Sequence, residues 1–199
     1  MIRYPKFFFV VTILFVLMFS LALARPPFTL RSSAFSSGGA IPLQYTHNLA
    51  GCPGGNNVNP PLEIISRPSG TGSYVLIMND PDVGADGEEE DTNPFVHWAV
   101  WNIPVATTEI PEGWASPMEV IQGMNGFSIS EGMVQTGYGG PCPPAGESHR
   151  YIFHLFALQE SSVDLIGLAD TSGDGIITVQ EVDVAGEAEA FTILGHIIL

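Results

Sequence analysis

Three short apolar runs set the limits on what this chain can become: YVLIM (74–78), FVHWAVWNI (95–103) and YIFHLFAL (151–158). Each is rich in β-branched and aromatic residues and bounded by Pro, Gly, Asn or Asp, the pattern of strands in an all-β domain. Helical periodicity is missing until VDVAGEAEAF (182–191), which predicts one short helix. A length of 199 residues suits one ordinary domain, and no internal repeat is visible. Alternation with a period of two puts Phe95, His97, Ala99 and Trp101 on one strand face. It puts Tyr151, Phe153, Leu155 and Ala157 on one face of the third run, with His154 pointing the other way.

The N-terminus reads differently. Arg3 and Lys6 precede a run that stays apolar to Ala24, and Ala22 and Ala24 form an A-x-A site. These are the parts of a signal peptide, so residues 1–24 are expected to be cleaved and the protein to be secreted or lumenal. If uncleaved, residues 7–24 would serve as a membrane anchor. Cleavage removes two cations and no carboxylate, taking the formal charge from −15 to −17. That surface repels phosphate backbones, so nucleic acid is excluded as a partner. Residues 25–40, rich in Pro, Ser and Gly, read as a flexible linker, and 41–199 as the domain. The run GEEED (87–91) reads as a solvated loop. Cys52 and Cys142 read most simply as one disulfide in an oxidising compartment, the alternative being two buried thiols.

The segment GYGGPCPPAGESHRY (137–151) joins glycines and prolines to His149, Arg150 and Tyr151 at a strand entrance. Exposed loop amides, an imidazole and a phenol together make a natural small-anion site. The order DPD (80–82), VHWAVWNIP (96–104), then GYGGPCPP…HRY resembles the phosphatidylethanolamine-binding protein family, in particular its bacterial and archaeal Raf-kinase-inhibitor-like branch. PLQYTHNLAGCPGGNNVNPPLEI (42–64) and GHIIL (195–199) extend the likeness over nearly all of 41–199. The resemblance implies two antiparallel sheets with Greek-key connections and a pocket for phosphate or a phosphorylated headgroup. It assigns that pocket to Asp80, His97, His149 and Tyr151, with Pro141 and nearby glycines shaping its wall. Asp82 is expected to cap loop amides in an Asx-turn, Arg150 to pair with a carboxylate such as Asp82, and His154 to be structural. Two departures stand out: His47 takes a position where the family has cysteine, and the loop after DPD is longer and more acidic.

A second motif, DTSGDGIITVQE (170–181), has the spacing of an EF-hand loop. Asp170, Ser172, Asp174, the Ile176 carbonyl, Thr178 and Glu181 fall at its ligand positions, so one Ca²⁺ is expected as a cofactor, with affinity in the weak extracellular range.

Two functions follow as expectations. The first is a binding protein for a phosphate-bearing small molecule or phospholipid headgroup such as phosphoethanolamine. The other is an inhibitor or signalling partner that docks on a protein target such as a protease or kinase. A hydrolase using His97 or His149 as base is disfavoured by the lack of a G-x-S-x-G elbow or an H-E-x-x-H motif, so no catalytic residue is assigned.

Overall fold

The computed structural model describes residues 25–84, 94–130 and 134–199; the expected signal segment and the acidic run 87–91 lie outside them. In chain order the strands are β1 (Thr29–Ser32), β2 (Leu62–Ile65), β3 (Ser73–Gly84), β4 (Pro94–Pro104), β5 (Glu109–Ile110), β6 (Ile121–Gln122), β7 (Ile152–Leu158) and β8 (Ile193–Ile198). The helices are α1 (Phe127–Ser130), α2 (Leu165–Leu168) and α3 (Val179–Glu187). Among the described residues the strands form two antiparallel sheets, β1-β2-β5 and β6-β4-β3-β7-β8. Within the larger sheet β7 returns beside β3, and the order 7-3-4-6 is that of a Greek key. The expected all-β class of two antiparallel sheets is therefore what the chain adopts.

Both faces of the larger sheet are covered, and this explains why its strands read as near-continuous apolar runs. On one face Tyr74, Leu76, Met78, Trp98 and Phe153 pack against Leu30, Leu62, Ile64 and Ile110 of the small sheet. On the other, Val75, Ile77, Ala99, Trp101 and Phe156 pack against Leu165, Ile176, Ile177, Val182 and Phe191 of the C-terminal segment. Helix α3 starts where Thr178 caps it: its side chain accepts from the Glu181 amide, and the Glu181 carboxylate accepts from the Thr178 amide at 3.0 Å. This reciprocal pairing satisfies two amides that a helix start leaves open.

The structure departs from the sequence reading in two places. The expected linker contains β1, because Leu30 is buried against the larger sheet and β1 pairs with β2 from Thr29 to Ser32. Alternation in β4 is also not strict. Met78 pairs with Trp98 but Asn79 pairs with Val96, which leaves His97 as the extra residue of a β-bulge. Val96 consequently packs in one cluster with Ala99 and Trp101, and His97 does not share their face. His154 keeps its predicted direction, away from His149; its Nε2–H donates to Asn79 Oδ1 at 3.2 Å, and its Nδ1 accepts from His196 Nε2 at 3.1 Å.

Candidate functional site

The bulge in β4 sits where β3 and β4 run side by side, with Asp80 opposite Phe95. It turns His97 toward a cavity of about 170 Å³ lined by Asp80, Phe95, Phe127, Cys142, His149 and Tyr151, with Val83, Pro143 and Pro144 completing the wall. Four predicted site residues, Asp80, His97, His149 and Tyr151, therefore come together. Pro141 lines an adjoining groove with Thr46 and Ile41 instead, and its carbonyl accepts from the His47 amide at 2.9 Å.

His97 Nδ1–H donates to the Gly139 carbonyl at 2.6 Å, and the Gly139 amide donates back to the His97 carbonyl at 2.8 Å. The bond to a carbonyl fixes the tautomer and leaves Nε2 as an acceptor. Burial pushes the imidazole pKa down to about 4, helped by the nearby His47, so this ring is neutral near pH 7. Phe95 and Phe127 lie 4.9 and 5.6 Å from it, ring centre to ring centre, and Tyr151 meets it edge-on at 5.2 Å.

His149 is the opposite case. Its Nδ1–H donates to Asp80 Oδ2 at 2.8 Å and its Nε2–H to Glu147 Oε2 at 3.1 Å. Two donating nitrogens mean an imidazolium. Burial alone lowers its pKa, but the bonds to Asp80 and Glu147 outweigh that and raise it. Burial lifts the Asp80 carboxyl, partly offset by the bonds from His149 and from the Asp82 amide. The buried Tyr151 hydroxyl makes no well-formed hydrogen bond; burial first, then the nearby Asp80 carboxylate, as a charge and as a weak acceptor, pushes its pKa up.

The DPD segment corrects one assignment. It is Asp80, not Asp82, that closes the Asx-turn, its Oδ1 accepting from the Asp82 amide at 2.9 Å. Asp82 faces across to the next loop and accepts from Arg150, from the backbone amide at 2.7 Å and from Nε at 2.9 Å, so Arg150 braces the two loops as expected. Those bonds hold the Asp82 carboxyl below its usual range. The loop amides expected to face an anion are also committed: Gly139 to His97, and Gly140 to Asn57 Oδ1 at 2.7 Å. Glycine is required at 140, since a Cβ there would lie 2.5 Å from the Tyr45 carbonyl oxygen. Cys52 and Cys142 are disulfide-bonded across 90 residues, fastening the loop after His47 to the cavity wall.

Sequence reasoning missed three members of this site. Glu147 lies two residues before His149 in the quoted loop, where its charge was a readable signal. Phe127 arrives from a separate segment, held by the Asn125 side chain accepting from its amide at 3.2 Å, and carried no signal. His47 is buried with its ring 4.5 Å from that of the cavity-lining Phe127.

Residues 31–191 match the phosphatidylethanolamine-binding protein family. The chain belongs to that family. A UPF0098 protein of Aquifex aeolicus is 39% identical over 141 residues, 69% of this chain and 70% of its own length. The UPF0098 protein YbhB of Escherichia coli is 33% identical over 139 residues, 67% of this chain and 80% of its own. Among solved structures, E. coli YbcL, described as a member of the mammalian PEBP family, superposes with a TM-score of 0.65 at 25% identity. That match covers 86% of this chain and 94% of YbcL. The homologue CT736 of Chlamydia trachomatis follows at a TM-score of 0.61 and 29% identity, covering 85% and 92%.

The EF-hand-like segment forms a tight loop closed on itself. Asp170 Oδ1 accepts from the Gly173 amide at 2.7 Å and Oδ2 from the Gly175 amide at 3.0 Å; Asp174 accepts from the Ile176 amide at 2.8 Å. Glu181 is buried, with Oε1 accepting from the Thr171 and Ser172 amides and Oε2 from Thr178. Among the described residues no group of three or more His, Cys, Asp or Glu side chains stands ready to hold a metal ion.

Proposed function

We propose that the cavity binds the phosphorylated headgroup of a small molecule or phospholipid, and that the chain acts as a binding protein rather than an enzyme. The observation that carries this reading is the Tyr151 hydroxyl, a buried donor with no well-formed hydrogen bond, in one cavity with the His149 imidazolium. An unmet buried donor costs about 1–3 kcal/mol, which an incoming phosphate oxygen would relieve. The acceptor Nε2 of His97 and the carboxylate of Asp80 favour ligands that also bring N–H or O–H donors, as phosphoethanolamine does. Calorimetric titration with phosphoethanolamine and with inorganic phosphate tests this. Saturable heat lost in His149→Gln is the expected result; absence of heat with both compounds would retire the reading in favour of a protein-docking scaffold.

We also propose one Ca²⁺ at residues 170–181. What supports it is the placement of Asp170, Ser172, Asp174, Thr178 and Glu181 on one loop whose Asp170–Gly175 bond shapes the turn. Binding would require Glu181 to exchange amide bonds for the ion, so the affinity expected is about 10⁻⁴–10⁻³ M. Calcium titration of the wild type against Asp170→Asn is the check, and equal heats in the two would end this assignment. With the expected signal segment, the reading also places the protein outside the cytosol; sequencing the N-terminus of the native protein tests cleavage after Ala24.

A further inference from the structure

The donors around the cavity are unequally committed. Arg150 is chelated by Asp82 through its backbone amide and two guanidinium nitrogens, which makes it costly to recruit. The Gly139 and Gly140 amides serve the fold. His149 Nδ1 is bound to Asp80, whose side chain is 4% exposed and carries the Asx-turn as well. His149 Nε2 differs. Its partner Glu147 makes that one bond from a side chain 58% exposed, while the imidazole itself is 7% exposed. The Glu147 backbone is fixed by its amide donating to the Pro144 carbonyl at 3.0 Å, so only its side chain needs to rotate to free Nε2.

We propose that the Glu147 carboxylate is a built-in competitor for the anion seat on His149 Nε2, so that a phosphate-bearing ligand binds by displacing it. This rests on the headgroup reading above. A carboxylate and a phosphate oxygen are equivalent acceptors to an imidazolium N–H, and one of them is already tethered in place. Displacement sets a selectivity. A plain phosphate must break the Glu147 bond and then face the displaced carboxylate as a like charge. A ligand with an amine beside its phosphate offers that carboxylate a cation in exchange for the one it lost. Glu147 therefore acts as a specificity-determining residue that favours amine-bearing phosphates over inorganic phosphate.

The test is calorimetric titration of wild type, Glu147→Gln and Glu147→Ala with inorganic phosphate and with phosphoethanolamine, on the acid side of neutrality where His149 stays protonated. An exposed ion pair of this kind is worth about two- to fivefold, so phosphate should bind tighter by at least that factor in both variants. Phosphoethanolamine should gain less, narrowing the ratio between the two ligands. Phosphate binding that is unchanged or weaker in both variants, while the wild type still binds, overturns the role of Glu147 and leaves the headgroup reading standing. If none of the three proteins binds either ligand, the headgroup reading fails and this inference with it. Circular dichroism of each variant confirms the fold, which an exposed side chain at 147 should not disturb.

Discussion

Asp80 and His149 meet at 2.8 Å through Oδ2 and Nδ1, with side chains only 4% and 7% exposed. The pair links two parts of the chain 69 residues apart, the end of β3 and the entrance to β7. The other oxygen of Asp80 holds the Asp82 amide, and Asp82 holds Arg150, the next residue after His149. One DPD segment thus fastens both halves of the HR dipeptide, and the cavity's cation is positioned by a turn of the strand beside it.

Asp80→Asn should free that imidazole. A buried pair broken at one partner typically loses about 3 kcal/mol of stability, and the remaining charge here keeps only the exposed Glu147 carboxylate as a charged partner among the described residues. His149 can shed its proton to limit this, so its raised pKa should fall toward or below the ordinary histidine value. Ligand affinity should drop with it. An NMR titration of His149 in the variant is the check; an unchanged titration would mean that Glu147 alone holds the proton.

Replacing Cys52 and Cys142 by serine should cost about 4 kcal/mol, the chain-entropy value for a closed loop of this length. The disulfide separates residues by 90 positions, and Cys142 is itself part of the cavity wall. Thermal denaturation of the double variant measures the stability term. Headgroup binding measured well below its melting transition should also weaken, since the cavity wall then loses its covalent tie to the loop after His47.

The three apolar runs located β3, β4 and β7, because strands buried on both faces leave a strong local signature. The small sheet was harder to read: TLRS carries one buried leucine in a Ser- and Pro-rich stretch, and its role as β1 depends on pairing with residues 30 to 36 positions away. The direction of His97 was misread for a related reason. A β-bulge is a relation between two strands, and nothing in FVHWAVWNI alone says that Asn79 will skip a residue in pairing. Asp80, His97, His149 and Tyr151 could be named through family likeness, whereas Phe127 enters the cavity only by tertiary packing. The Asx-turn was assigned to Asp82 rather than Asp80 because such turns depend on which carboxylate faces its own loop.

Acidification should destabilise the protein through two other histidines. Burial holds His97 and His154 near a pKa of about 4, against 6.5 in the unfolded chain. Between those values the unfolded state takes up protons that the native state refuses, so stability falls as pH drops from 6.5 toward 4, by up to about 3 kcal/mol for each. His149 works in the opposite sense: its raised pKa adds stability below the unfolded value, and this is lost as pH rises through the folded one. Urea denaturation across that acid range should show the midpoint falling, less steeply in His154→Asn. An equal slope in that variant would place the acid sensitivity elsewhere.

Tyr151→Phe separates binding from folding. The hydroxyl makes no well-formed hydrogen bond, so its removal takes away a desolvation cost and at most a weak contact with Asp80. The ring is retained, and with it the edge-on contact to His97 at 5.2 Å and the packing beside His149. Stability should therefore stay within about 0.5 kcal/mol of the wild type or rise, which is unusual for a change at a buried tyrosine. Headgroup affinity should fall by about 1–2 kcal/mol, or roughly tenfold, because the phosphate oxygen that the hydroxyl would have met is left without that donor. Paired thermal denaturation and calorimetric titration give both numbers from one preparation. A variant that loses stability and keeps its affinity would reverse the assignment, making the hydroxyl a structural group and leaving the imidazolium of His149 as the donor for an incoming anion.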